Sequence, residues 1–203
     1  MKVLVLGSAA GGGFPQWNCN CSNSSEARKN PKRAKPRTQS SIAVSADDGN
    51  NWFLFNASPD LRQQINDNKA LQPKTGIRHS PILGAFITNG DIDHIAGLLN
   101  LRESHPLSLY ATKKVLGILN SNNVFNVLNP DFVERREVSL NHTILLEDKE
   151  KNSTGIEVEV FPVPGKIALF LEDKTKGDNF GTDEEDTIGL KIIDTKSKKF
   201  FFY

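Results

Sequence analysis

The sequence predicts an α/β fold, and three observations predict it. Residues 85–99, AFITNGDIDHIAGLL, pass from four residues suited to a buried strand through a polar turn into an apolar-periodic segment carrying Ile92, Ile95, Leu98 and Leu99. Strand-like and helix-like runs alternate through the N-terminal part, the pattern of a mixed or parallel sheet covered by helices. From Val138 onward the character shifts to β. At 203 residues the chain is long enough for one substantial core, and a single domain over residues 1–203 is expected.

Each element has its own cue. Val3-Leu4-Val5-Leu6 is a continuous apolar run that suits a buried strand. The glycine-rich turn after it, residues 7–13, invites a phosphate-binding reading, but a dinucleotide fingerprint needs glycine where Ala9 stands. A P-loop needs Gly-Lys-Ser/Thr where Phe14-Pro15 follows Gly13. A tight turn bringing backbone close to backbone explains the glycines better. The polar stretch 22–37 carries Arg28, Lys29, Lys32, Arg33, Lys35 and Arg37, and reads as a solvated loop or as a cationic rim that attracts an anionic small molecule. Residues 41–45 and 52–56 flank Asp47-Asp48-Gly49-Asn50, which predicts a β-hairpin. Ser58-Pro59 reads as an N-cap and first helical proline, opening a helix through Leu61 and Ile65.

The segment after Asn89-Gly90-Asp91 is predicted helical to about Arg102. Leu107-Ser108-Leu109-Tyr110 follows as a short strand, and Thr112 is the expected cap of a helix through Val115, Leu116 and Leu119. The later strands are predicted at 143–146, 156–160, 168–171, 187–193 and 199–203, with an acidic, glycine-punctuated loop over 172–186. Phe200-Phe201-Phe202-Tyr203 would leave an apolar edge strand uncovered, so further chain is expected to follow.

Composition excludes several classes. Hydrophobic residues make up 37% and the formal net charge is +1, so disorder and a polycationic surface are both unsupported. The basic stretch has no interleaved aromatics to stack bases, so nucleic-acid binding is not expected. No run approaches the roughly 20 apolar residues of a membrane helix, and residues 1–7 lack the pattern of a signal peptide. A cytoplasmic protein, not membrane-embedded, is the expectation. The two cysteines, Cys19 and Cys21, have one residue between them, a spacing awkward for a disulfide and more natural for metal ligands.

The chemistry concentrates in Asp91, Asp93 and His94, at the junction of a strand and a helix. Carboxylates are favoured at a helix start by the dipole alone, so capping is one reading. A histidine beside them shifts the balance toward metal, because carboxylate plus imidazole begins an iron or zinc site. A facial two-histidine, one-carboxylate site would need another histidine, and His79, His105 and His142 read as surface or capping residues. Phe14 and Trp17 read as packing residues.

Thr88-Asn89-Gly90-Asp91-Ile92-Asp93-His94 resembles the Thr-His-x-His-x-Asp-His motif of the metallo-β-lactamase superfamily, with Asn89 and Asp91 in place of the early histidines. Pro162-Val163-Pro164-Gly165 resembles its His-x-Pro-Gly turn with proline for histidine. Residues 11–21 (GGFPQWNCNC after the first glycine), Arg37-Thr38-Gln39-Ser40-Ser41, Asn56-Ala57-Ser58-Pro59-Asp60, Val163-Pro164-Gly165-Lys166 and Asp186-Thr187-Ile188-Gly189-Leu190 are similar to the coenzyme PQQ synthesis protein B family, over nearly the whole chain.

That resemblance implies a metallo-β-lactamase-like four-layer αββα sandwich, incomplete at its C-terminus, and a role in pyrroloquinoline quinone (PQQ) synthesis. The family has been described as a carrier (transport) of PQQ or its precursor toward the periplasm. It has also been described as an iron-dependent hydroxylase, an oxidoreductase acting on the tyrosine-derived ring of the cross-linked Glu-Tyr precursor. The residues fit the hydroxylase better: Asp93 and His94 as ligands of one iron, and Asp91 as a third ligand or a base. The last ligand is expected after Tyr203. A metallo-hydrolase is the alternative from the same superfamily, although the lost histidines argue against two metals. The family pattern Cys-x-Cys-x-x-Cys implies a structural zinc on Cys19 and Cys21, with Ser24 standing where the third thiolate would be. The expected partners are the peptide-derived precursor and, in a homodimer, a second copy of the chain.

Overall fold

In the computed structural model, which describes residues 1–203, two sheets pack face to face. The first sheet has six strands in sequence order: β1 (Lys2–Gly7), β2 (Ser41–Ser45), β3 (Trp52–Phe55), β4 (Ile82–Phe86), β5 (Leu107–Thr112) and β6 (Val133–Val138). β1 to β3 pair antiparallel and β3 to β6 parallel, so the sheet is mixed, as the alternation of elements predicts. The second sheet is antiparallel, in the order β10 (Phe200–Phe202), β9 (Ile188–Asp194), β8 (Ser153–Pro162), β7 (Thr143–Glu147).

The period-two alternation of side chains divides the core in two. Leu54, Ala85, Ile87, Leu109 and Ala111 face the helices: α2 (Leu61–Asp67), α3 (Ile92–Ile95) and α4 (Lys113–Ser121) bury Leu61, Ile95, Val115 and Leu119 against them. Phe53, Phe55, Phe86 and Tyr110 face the second sheet and meet Val158, Val160, Leu190 and Ile192. Register aligns Phe55, Phe86 and Tyr110 across three parallel strands, and their rings stack at centroid distances of 6.0 Å. The layers of this chain are thus helices, sheet and sheet, in a metallo-β-lactamase-like sandwich.

Several expectations change on contact with tertiary structure. β1 is an edge strand with Val3 and Val5 exposed rather than a buried one. Ser22–Lys29 is a helix, α1, not loop; it buries Ala27 and Ser24, and Arg28 on it donates to the carbonyls of Gln16 and Cys19, both at 2.6 Å. The helix after Pro59 begins only at Leu61, since the Ser58 hydroxyl reaches Gln64 instead of capping. Beyond α3 the helical segment tightens to a 3-10 helix, Ala96–Leu101. Leu169–Leu171 is a 3-10 turn and not a strand.

Strand β6 was hidden by its charges. Arg136, opposite Tyr110 in register, donates to the Tyr110 hydroxyl at 2.7 Å and pairs with Glu134 and Glu147, so cross-strand polar contacts replace apolar ones on this edge. The closing aromatics alternate: Phe201 and Tyr203 pack on the inner core while Phe200 and Phe202 face outward. The Thr112 cap is as expected, its side chain accepting from Val115 N–H at 3.3 Å.

Candidate metal centre

The site lies beyond the carboxyl ends of β3 and β4, where α/β sheets place ligands. Asn56, just after β3, adopts φ +63°, a left-handed conformation that asparagine tolerates because its short side chain bonds locally. Its carbonyl oxygen accepts from Thr88 N–H at 2.9 Å, and its amide donates to the Thr88 hydroxyl at 2.9 Å, joining the two strand ends. Ala57 N–H donates to His94 O and Gly97 N–H to Ala57 O, both at 2.8 Å, locking α3 onto that corner. Gly97 is required there: a Cβ would sit 2.1 Å from the Ser58 carbonyl. The second sheet joins through Ile188 N–H to Thr88 O at 3.0 Å.

Asp93 and His94 sit together on α3. His94 Nδ1 lies 3.1 Å from Asp93 Oδ1, and the side chains are only 19% and 23% exposed, respectively. The approach is ionic in distance but not aligned as a hydrogen bond, leaving Nδ1 a buried ring nitrogen without a hydrogen-bond partner. The imidazole beside it holds the Asp93 carboxyl below the usual carboxylate range, against the opposing effect of partial burial. A buried orphaned nitrogen beside an ionised carboxylate fits a metal ion, which would satisfy both. Asp91 is not drawn into this pair. It precedes α3, and its Oδ1 accepts from Leu169 N–H at 3.1 Å. No group of three His, Cys, Asp or Glu side chains converges anywhere in the chain, so the pair is the whole ligand set these residues provide.

A cavity of about 480 Å³ opens beside the pair, between the glycine turn, α3 and the Leu169–Leu171 turn. Its lining has no lysine or arginine, so the cationic rim expected of the basic stretch does not face it; Lys35 and Arg37 line a separate groove beside Gly7. Gly7 confirms the close-approach reading of the glycine turn, since a Cβ there would lie 2.0 Å from the Gln39 carbonyl. Gln39, part of the quoted Arg37-Thr38-Gln39-Ser40-Ser41 motif but given no role from sequence, lines the cavity. It is buried, and its Oε1 accepts from Gly12 N–H at 3.0 Å. Trp17, expected to pack, is 83% exposed.

The cysteines come together at the start of α1. Cys21 Sγ is 3.6 Å from the Ser24 hydroxyl. Hydrogen bonds from Ser24, then from Cys19, bring the exposed Cys21 thiol down to about 7. Two thiols and a hydroxyl thus gather where the zinc clamp was expected. His79, His105 and His142 lie away from the cavity, His142 Nδ1 within 2.8 Å of Leu140 O.

Comparison with known proteins gives the family and agrees with the fold. The family model described as "Beta-lactamase superfamily domain" matches residues 51–203. The chain is 50% identical over 192 residues to coenzyme PQQ synthesis protein B of Methylobacterium radiotolerans, covering 95% of this chain and 61% of that protein. It is 48% identical over 198 residues to the protein of the same name from Xanthomonas oryzae pv. oryzae, covering 98% and 63%. A crystal structure of Zn²⁺-bound PqqB from Methylobacterium extorquens superposes with a TM-score of 0.90 at 49% identity, covering all of this chain and 64% of that one. The chain therefore spans somewhat under two thirds of the length of the proteins it matches.

Proposed function

Because the chain belongs to the beta-lactamase superfamily domain family, we propose that its protein acts in PQQ biosynthesis, as an iron-dependent hydroxylase of the tyrosine-derived ring of the cross-linked Glu-Tyr precursor. The observation that carries this reading is the paired Asp93 and His94, with an orphaned buried Nδ1, in a chain half identical to coenzyme PQQ synthesis protein B over 95% of its length. The Zn²⁺ in the Methylobacterium extorquens relative supports a metal in this fold, and the proposed hydroxylation calls for iron in its place.

Asp93 and His94 would hold the metal, which when bound would supply Lewis acidity and redox chemistry toward O₂. The rest falls to the chain's own groups. Asp93, ionised below the usual range, brings the negative charge that favours a cation. Gln39, the glycine turn, Leu169 and Phe170 shape the cavity wall. No helix is long and apolar enough to cross a membrane, which suits the proposed cytoplasmic site of action.

The test is reconstitution of the full-length protein. One equivalent of iron and precursor-dependent oxygen uptake are expected, both lost in Asp93→Ala and His94→Ala. Two metals per chain with turnover of a phosphodiester would support a hydrolase instead. Tight precursor binding without metal or oxygen uptake would support a carrier. Light scattering on the same sample tests the proposed homodimer.

A further inference from the structure

The cavity beside Asp93 is apolar in an informative way. Leu169, Phe170 and Ile92 contribute large hydrophobic side chains, and all three are exposed at its mouth: 75%, 47% and 56%. Such side chains grouped at a cavity mark a binding surface. Gly11 and Gly12 contribute wall without side chains, which lets a flat group lie close to backbone.

The polar groups are mostly spent. Gln39 uses its carbonyl on Gly12 and its amide on Asp60, and Asp91 gives one oxygen to Leu169 N–H. Asp91 and Asp93 line the space with no lysine or arginine beside them, and a metal on Asp93 and His94 would offset their charge. A flat ring placed there meets glycine backbone and an aromatic side chain. The Asp91 bond also fixes the turn: it spans 78 residues of sequence and ties Leu169, next to Phe170, to the helix start that carries Asp93.

We propose that Phe170 is the ring-binding, specificity-determining residue of this cavity, held in place by Asp91 as a positioning residue, and that the cavity selects a flat aromatic ring over a saturated one of similar size. The proposal rests on the reading of Asp93 and His94 as the reacting centre only for what happens to the ring, not for its binding.

The experiment is saturation-transfer NMR on the full-length protein with p-cresol as the aromatic probe and cyclohexanemethanol as its non-aromatic counterpart. Selective binding of p-cresol is expected, weakened about tenfold in Phe170→Ala, the scale of one aromatic contact plus its burial. Phe170→Leu, which keeps apolar volume, should lose selectivity for the aromatic probe while folding normally. Asp91→Ala should weaken p-cresol binding and Asp91→Asn should restore it, because an asparagine carbonyl still accepts from Leu169 N–H. Metal content should be unchanged in all four variants. Equal binding of the two probes, or unchanged p-cresol affinity in Phe170→Ala, overturns the ring site. Loss of metal in Asp91→Asn would place Asp91 among the ligands and overturn its positioning role. Failure of precursor turnover with these binding results intact would count against the proposed reaction alone.

Discussion

Gln39 donates both its backbone N–H and its side-chain amide to a single oxygen of Asp60, at 2.9 and 3.0 Å, while its own carbonyl receives Gly12 N–H. A carboxylate from the turn before α2 thereby sets the orientation of a buried amide, and that amide holds the glycine wall of the cavity. Gln39→Ala should cost about 1–3 kcal/mol, the range for a buried hydrogen-bonded group whose partners are left unpaired. Gln39→Glu should be worse at neutral pH, because two carboxylates then face each other, and should recover as pH falls and the pair takes up a proton. Thermal melts at pH 7 and pH 5 check both; a Glu variant as stable as wild type at pH 7 would refute the arrangement.

Gly11 stands against Asp93, one of the two proposed metal ligands. A Cβ there would lie 3.3 Å from Asp93 Oδ2, so Gly11→Ala must push the carboxylate by a few tenths of an ångström. Metal affinity should fall about tenfold, as it does when the support of a ligand is disturbed. Gly13→Ala is the control: its φ of +73° makes alanine strained, but the nearest atom to a Cβ is the Arg37 carbonyl at 3.5 Å. It should lose about 1 kcal/mol of stability and keep its metal. Chelator competition with melting curves separates the two effects.

Asp194 is buried and takes the Met1 ammonium at 2.8 Å together with the N–H groups of Lys196 and Ser197. The ammonium first, then these amides, hold its carboxyl far below the usual range. The folded-state value lies under the unfolded one, so the stabilisation is fully present above about pH 4, the ordinary aspartate value. It is lost as pH falls toward the folded-state value. Asp194→Asn should cost about 3 kcal/mol at pH 7, and its deficit relative to wild type should shrink below about pH 4. Urea titrations at pH 7 and pH 3 measure this; a deficit that does not change with pH would rule it out.

Ser24 is buried with its hydroxyl 3.6 Å from Cys21 Sγ. Ser24→Cys places a third thiol at that position, and three thiolates suit zinc where two and a hydroxyl do not. The variant should bind one more equivalent of zinc than Cys21→Ala, read by zinc content after gel filtration. Equal zinc in the two would show that the start of α1 is not a clamp.

Much of this protein was legible in its sequence because local chemistry carried the information. Turn residues 47–50, the Thr112 cap and the alternation of strands with helices each depend on neighbours within a few positions, and the hairpin, the cap and the mixed sheet all stand in the structure. The motif quoted around Asp93 and His94 located the corner for the same reason: adjacent residues on one short helix share a site whatever the rest of the chain does. Charged β6 and polar α1 escaped because their stability comes from partners distant in sequence: Tyr110 and Glu147 for Arg136, and the carbonyls of Gln16 and Cys19 for Arg28. Tertiary structure alone brought Asp91 to its partner: one oxygen of its side chain accepts from Leu169 N–H, 78 residues away, a contact that its spacing beside Asp93 does not announce. Sequence thus determined the sheets and the pairing of Asp93 with His94, whose contacts are local or periodic. The cavity wall, the orphaned Nδ1 and the direction of each remaining carboxylate came from packing, because long-range contacts leave no mark in the residues on either side.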